Sequence, residues 1–159
     1  MRALLVVASF FAVATTTVTD AKDVGGKLDL RTARAARDGT LLRLTVKVYG
    51  RWSSKLLRRG GKSRLTVLYD VNGDGKADFT GRIVYRGKLS LWITGRHQAF
   101  EPVPVSRPTS TSAYFVHPVD VLFHGTGTKT LGIAITSVNG THRDRMPDKG
   151  WAPVVFTLR

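Results

Sequence analysis

Apolar and polar residues alternate along most of the chain after residue 14. Leu42, Leu44 and Val46 alternate with charged or polar residues, which is the two-residue period of a strand with one buried face. No long stretch has the period of about 3.6 residues that an amphipathic helix requires. The pattern therefore predicts an all-β protein.

The predicted strands are short apolar or alternating runs bounded by turn residues. They cover residues 28–32, 42–48, 65–69, 79–85, 89–94, 98–105, 112–116, 131–138 and 154–158. Asp38-Gly39 is a hairpin turn signal between the first two. Only residues 53–59 and 119–123 are helical candidates. Roughly 8–9 strands with frequent turns predict one domain, residues 15–159, folded as a single antiparallel β-sandwich.

Residues 1–14 have a different composition from the rest. Arg2 precedes an apolar run from Ala3 to Ala14, and Ala12-Val13-Ala14 fits a small-x-small cleavage site. The run is shorter than the ~20 residues of a membrane-spanning helix. We therefore predict a signal peptide over residues 1–14 and a secreted domain without a membrane anchor. The alternative is that this run forms a first hydrophobic strand.

The composition of the chain excludes several classes of function. The chain has no Cys, which excludes thiol catalysis and cysteine-ligated zinc. It contains neither a G-x-S-x-G elbow nor a zinc-protease histidine pattern, so no enzyme activity is predicted. The net charge is +14, and such a surface attracts polyanions. Because the basic residues are spread along the chain, a polyanion-binding adhesive protein is the alternative function, not the leading one.

The segment from Asp70 to Asp78 carries the clearest chemical signal. Asp70, Asn72, Asp74 and Asp78 stand at positions 1, 3, 5 and 9, with Gly75 at position 6. This spacing is typical of a calcium loop, and all-oxygen ligands in a flexible loop suit calcium better than magnesium. The alternative is an Asx- and Gly-rich turn that binds no metal.

The calcium loop predicted here is not an EF-hand. It joins two predicted strands, and position 12, where an EF-hand has a bidentate Glu, is Gly81. The D-x-N-x-D-G-x-x-D pattern resembles the hairpin calcium loops of integrin-type propeller blades and thrombospondin type 3 repeats. That resemblance implies side-chain ligands from Asp70, Asn72, Asp74 and Asp78 and a backbone carbonyl ligand from Lys76.

Three tryptophans, Trp52, Trp92 and Trp151, are candidate platforms for a sugar ring, because exposed aromatic faces stack on sugars. Trp92 falls on the opposite face of its strand from Leu91 and Ile93, which favours an outward position. The alternative for each of the three is packing in the core or at a sheet edge.

Two segments resemble known secreted proteins. The segment 18–30, with the following Asp38-Gly39 hairpin, resembles the start of DOMON-like β-sandwich domains, which include family-9 carbohydrate-binding modules. The late segment 143–151 resembles one in small secreted actinobacterial proteins. The resemblance implies a jelly-roll or DOMON-like sandwich. We expect a monomeric, non-catalytic binding module for carbohydrate or an anionic cell-envelope polymer, with nucleic acid not expected as a partner.

Overall fold

The computed structural model describes residues 14–95 and 98–158. All of the predicted signal peptide except Ala14 lies outside these residues. Within them, no helix has both the length and the apolar character that crossing a membrane would require.

The described residues form an antiparallel all-β fold, which confirms the predicted class. Its strands are β1 (Thr15–Thr19), β2 (Leu30–Asp38), β3 (Leu41–Val48), β4 (Ser63–Asp70), β5 (Phe79–Arg86), β6 (Lys88–Gly95), β7 (Val103–Ser106), β8 (Ser112–Pro118), β9 (Gly127–Asn139), β10 (His142–Met146) and β11 (Ala152–Leu158). The two helical candidates are single 3-10 turns, at Ser54–Leu57 and Asp120–Leu122.

The strands build a nearly closed sandwich of two sheets. The first sheet has the order β1-β2-β3-β8, and the second has the order β6-β5-β4-β9. Strand β7 joins them, because Val103 pairs with β6 whereas Val105 pairs with β8. On the far side of β9, β10 and β11 lie one after the other along the same edge.

The predicted alternation places the core between the sheets. Leu42, Leu44, Val46 and Val48 are all buried, whereas Arg43 and Lys47 between them are exposed. The Asp38-Gly39 turn joins β2 to β3 as predicted, and Gly39 adopts the positive φ of 59° that favours glycine in such a turn.

Eleven strands are present among the described residues, more than the eight or nine predicted. The two additional strands are β1 and β10, whose sequences TTTVT and HRDRM carry little apolar alternation. The predicted strand 98–105 is also shorter than expected: it forms β7, Val103–Ser106. Two prolines, Pro102 and Pro104, lie in this region, and proline cannot donate to a ladder.

The sandwich is open along one side, which we call the seam: β1 and the start of β2 face β10 and β11. Within residues 14–95 and 98–158, no strand pairing crosses it. Hydrogen bonds that involve side chains cross it instead. Thr16 Oγ1 donates to the Pro153 carbonyl (2.7 Å), and the Leu30 N–H donates to Asp144 Oδ2 (2.6 Å). The two sheets are therefore joined less continuously here than through β7.

Candidate metal centres

The Asp70–Asp78 loop lies at the tip of the β4–β5 hairpin, where the sequence predicts it. Asp70 ends β4 and is only 3% exposed. Its Oδ1 accepts a hydrogen bond from the Gly73 N–H (2.7 Å), and its Oδ2 accepts one from the Gly75 N–H (2.9 Å). Gly75 has a φ of 80°, which an L side chain rarely adopts. The buried carboxylate thus folds the loop around itself.

The remaining oxygen-bearing side chains of the loop close successive small turns. Asn72 Oδ1 accepts from the Asp74 N–H (2.9 Å), and Asp74 Oδ1 accepts from the Lys76 N–H (2.8 Å). Asp78 reaches back across the loop, and its Oδ2 accepts from the Val71 N–H (2.9 Å). All the predicted side-chain ligands therefore belong to one hydrogen-bonded loop.

The loop carboxylates do not converge on one point. Among the residues that the structure describes, Asp70, Asp74 and Asp78 do not form a group whose ligand atoms all lie within 4.8 Å of one another. Backbone N–H groups hold them instead, as in a turn without metal. Calcium at this loop, with the Lys76 carbonyl as a ligand, stays a prediction.

Gly81, the position at which an EF-hand would have its Glu, is buried in β5. A Cβ at this position would lie 2.9 Å from Leu91 Cδ1 and 3.2 Å from the Tyr69 ring. No side chain could reach the loop from there without displacing the core.

A groove of about 510 Å³ opens beside the loop. Its lining includes Asn72, Asp74, Asp78, Phe79, Gln98 and His124. The Phe79 ring also packs on Phe100, with ring centroids 5.7 Å apart. Polar oxygen and nitrogen groups thus surround an apolar ring, which is a composition that suits a small polar ligand.

The three candidate tryptophans do not form a common platform. Trp52 is only 4% exposed and belongs to the core, so it offers no ring face to a ligand and we withdraw it as a candidate. Trp92 and Trp151 are half-buried. The Arg86 guanidinium carbon lies 4.7 Å from the centre of the Trp92 ring, and that of Arg145 lies 5.6 Å from the centre of the Trp151 ring.

Trp151 lies close to the start of the loop. A Cβ at Gly132 would lie 3.1 Å from Trp151 Cβ and 3.2 Å from Asp70 Cβ, so both residues border Gly132. Their common neighbour places Trp151 at the base of the loop.

A second acidic centre lies at the seam, and sequence analysis missed it. One carboxylate oxygen from each of Asp20, Asp23 and Asp144 lies within 4.8 Å of the others. Among the described residues this is the only such group of His, Cys, Asp or Glu ligand atoms. Asp20 and Asp23 lie in the β1–β2 connection, whereas Asp144 lies in β10.

Burial and mutual repulsion raise the pKa values of two carboxyl groups in this part of the seam. Burial, followed by the negative charge of Asp144, raises the pKa of Asp20 to about 6. Burial, followed by Asp144 and Asp23, also raises the pKa of Asp29. The positive charge of Lys22 and the nearby Val24 N–H lower the pKa of Asp29 by smaller amounts. The Val24 N–H does not, however, reach hydrogen-bonding geometry with either carboxylate oxygen of Asp29. Asp29 therefore belongs electrostatically to this centre.

No protein-family model, curated protein or solved structure matches this chain. The resemblance to DOMON-like and carbohydrate-binding domains therefore stays an expectation.

Proposed function

We propose that this chain is a secreted, non-catalytic β-sandwich binding module for carbohydrate or a cell-envelope polymer, stabilised by calcium at the Asp70–Asp78 loop. The observation that carries the proposal is the groove of about 510 Å³, because residues that would hold the ion also line it. Calcium would thus fix one wall of the groove.

The oxygen-bearing side chains and the hydrogen-bonded turns of the loop suit calcium. The hydrogen bonds to Asp70, Asn72 and Asp74 already set the sequence of turns, so calcium would have to bring the side-chain oxygens together without refolding the loop. Asp74 Oδ2 makes no hydrogen bond within the described part of the chain and is free to turn towards an ion. Extracellular calcium modules work with Kd values of about 10⁻⁴–10⁻³ M, so a weak site suffices after secretion.

The groove residues favour a polyhydroxylated ligand. Gln98 offers an amide, and His124 offers an imidazole nitrogen, both in exposed positions. Hydroxyl groups both donate and accept hydrogen bonds, so they can pair with these groups and with carboxylate oxygens. The apolar ring of Phe79 complements the C–H face of a sugar.

The test is binding of purified polysaccharides and cell-envelope polymers by the full chain in calcium, measured by isothermal titration. Gln98→Ala and His124→Ala should each weaken binding, whereas Thr157→Ala, exposed on β11, should not. If no polymer binds, or if both groove variants bind as the unchanged chain does, the groove does not have this function.

One observation favours the polyanion alternative. The chain has 25 Lys and Arg residues against 11 Asp and Glu residues, yet Arg43–Asp38 is the single ion pair in the described ranges. Most basic side chains are therefore available to an anionic polymer. Polyanion binding would weaken steeply with salt, in proportion to the number of anionic groups engaged, whereas sugar stacking would change little. One titration at low salt and one at high salt separate the two functions.

A further inference from the structure

The acidic centre at the seam contains a buried carboxylate that has no hydrogen-bond partner within residues 14–95 and 98–158. Asp29 is only 2% exposed, and neither of its oxygens has a hydrogen-bond partner among the described residues. Asp20 Oδ2 is likewise buried without a partner. An ionised carboxylate is strongly disfavoured in such a position unless a proton or a cation neutralises it.

Among the described residues, no basic side chain supplies that neutralisation. Within residues 14–95 and 98–158 the single ion pair is Arg43–Asp38, at the β2–β3 turn. Arg145 is adjacent to Asp144 in sequence, but its guanidinium donates to the carbonyls of Pro147 and Gly150. The charge of Lys22 lowers the pKa of Asp29, but this effect is smaller than the opposite effects of burial, Asp144 and Asp23.

The backbone around the centre is held in place from several sides. The Tyr49 hydroxyl donates to the Asp20 carbonyl (2.8 Å), and the Tyr49 N–H donates to the Asp29 carbonyl (2.9 Å). On the other side of the seam, Asp144 Oδ2 accepts from the Leu30 N–H (2.6 Å). The carboxylates are thus fixed close together by bonds that do not depend on a metal.

The β1–β2 connection also packs closely on the β9–β10 hairpin. A Cβ at Gly25 would lie 3.0 Å from His142 Cε1, and a Cβ at Gly26 would lie 2.9 Å from Asn139 Oδ1. Asn139 Oδ1 in turn accepts from the Lys27 N–H (3.2 Å). Residues 20–29 therefore bridge the two sheets at the seam.

We propose that Asp20, Asp23 and Asp144 bind a divalent cation of the calcium class beside the buried Asp29 carboxylate, and that this ion clamps the two sheets together at the seam. Oxygen atoms within 4.8 Å of one another can all contact one ion at the calcium–oxygen distance of about 2.3–2.6 Å. Three carboxylates without nitrogen or sulfur ligands select a hard cation. The site shares no residue with the Asp70–Asp78 loop and goes beyond the function proposed above.

The experiment uses the full chain with the loop disabled by D74N and D78N, so that calcium binding reports on the seam alone. Equilibrium dialysis of the chelator-stripped protein should give about one calcium ion per chain, bound more tightly than magnesium. Adding D23N, which alters an exposed side chain, should weaken the affinity roughly tenfold or more, because a direct ligand is lost. E101Q, which removes an exposed acid elsewhere, should leave it unchanged.

A second variant gives an independent readout. D29N removes the unpartnered buried charge, so it should raise the melting temperature in chelator and reduce the rise that calcium produces in the loop-disabled chain. Failure of the loop-disabled chain to bind calcium would overturn the proposal. So would calcium binding by D23N equal to that of E101Q, or a calcium-induced rise in melting temperature that D29N leaves unchanged. If the unchanged chain and the loop-disabled chain both bind one calcium ion, the seam site is retained and the calcium-stabilised loop of the proposed function is contradicted instead.

Discussion

The hydroxyl of Tyr69 lies 3.0 Å from Nε2 of His117, in a buried hydrogen bond that joins the two sheets. His117 Nδ1 lies 2.9 Å from the Pro118 carbonyl oxygen, which can only accept. Nδ1 therefore carries the proton of the neutral ring, and Nε2 accepts from Tyr69. Tyr69 directly precedes Asp70, so this bond links the core to the start of the acidic loop.

Tyr69→Phe should lower the free energy of unfolding by about 1–3 kcal/mol. The substitution keeps the ring but leaves His117 Nε2 buried without a donor, and an unsatisfied buried acceptor costs about that much. Urea unfolding monitored by fluorescence measures the change. Tyr85→Phe is the matched control, because the Tyr85 hydroxyl makes no hydrogen bond within the described residues. An equal effect of the two variants would contradict the structural role of the bond.

His117 should make the protein less stable in acid. Burial lowers the pKa of His117, so the folded state keeps the ring neutral while the unfolded state gains a proton below about pH 6.5. The contribution of His117 is therefore fully present above about pH 6.5 and is lost as the pH falls towards the folded pKa.

The measurement is the free energy of unfolding against pH for the unchanged chain and for His117→Gln. Asp20, with its pKa raised to about 6, acts in the opposite direction in calcium-free protein, because the folded state binds its proton first. Subtracting the two curves removes that contribution. The difference between the unchanged chain and the variant should shrink as the pH falls below 6.5. A difference independent of pH would contradict the neutral buried ring.

Gly81→Ala should destabilise the hairpin that carries the loop. The added Cβ would meet Leu91 Cδ1 at 2.9 Å and the Tyr69 ring at 3.2 Å, and overpacking of this kind costs about 1–3 kcal/mol. Chemical denaturation measures the loss. Gly87→Ala is an instructive comparison, because its Cβ meets nothing within 4 Å and only its φ of 78° causes strain. A Gly81→Ala variant as stable as the unchanged chain would contradict this close packing of Leu91 and Tyr69 around Gly81.

The sequence predicts strands well where burial is one-sided and poorly at the edges. Leu42, Leu44 and Val46 alternate because one face of β3 covers the core. In β10 only Met146 is buried, so HRDRM has no apolar period to detect. Its position depends instead on pairing with β9, which a local pattern does not encode.

The two acidic centres also differ in whether a local sequence pattern can predict them. The Asp70–Asp78 ligands are contiguous, so their spacing alone predicts a calcium loop at a hairpin tip. Asp20 and Asp144 lie near opposite ends of the chain, and only the closure of the sandwich at the seam brings them together. Trp52 follows a turn and gives no sequence signal of burial, yet it packs in the core.

The acids of this basic chain are concentrated in these two places. Outside the Asp70–Asp78 loop and the seam with its neighbour Asp148, the remaining acids are Asp38, Glu101 and Asp120. These two concentrations are the calcium sites proposed above. At calcium levels 100-fold above Kd, each site would add about 2.7 kcal/mol to the free energy of unfolding.

Equilibrium dialysis of the chelator-stripped chain against millimolar calcium is the decisive measurement. About two calcium ions should bind per chain, one lost with D74N and D78N and the other with D23N. A chain that binds no calcium, and whose melting temperature is the same in calcium and in chelator, would contradict both sites.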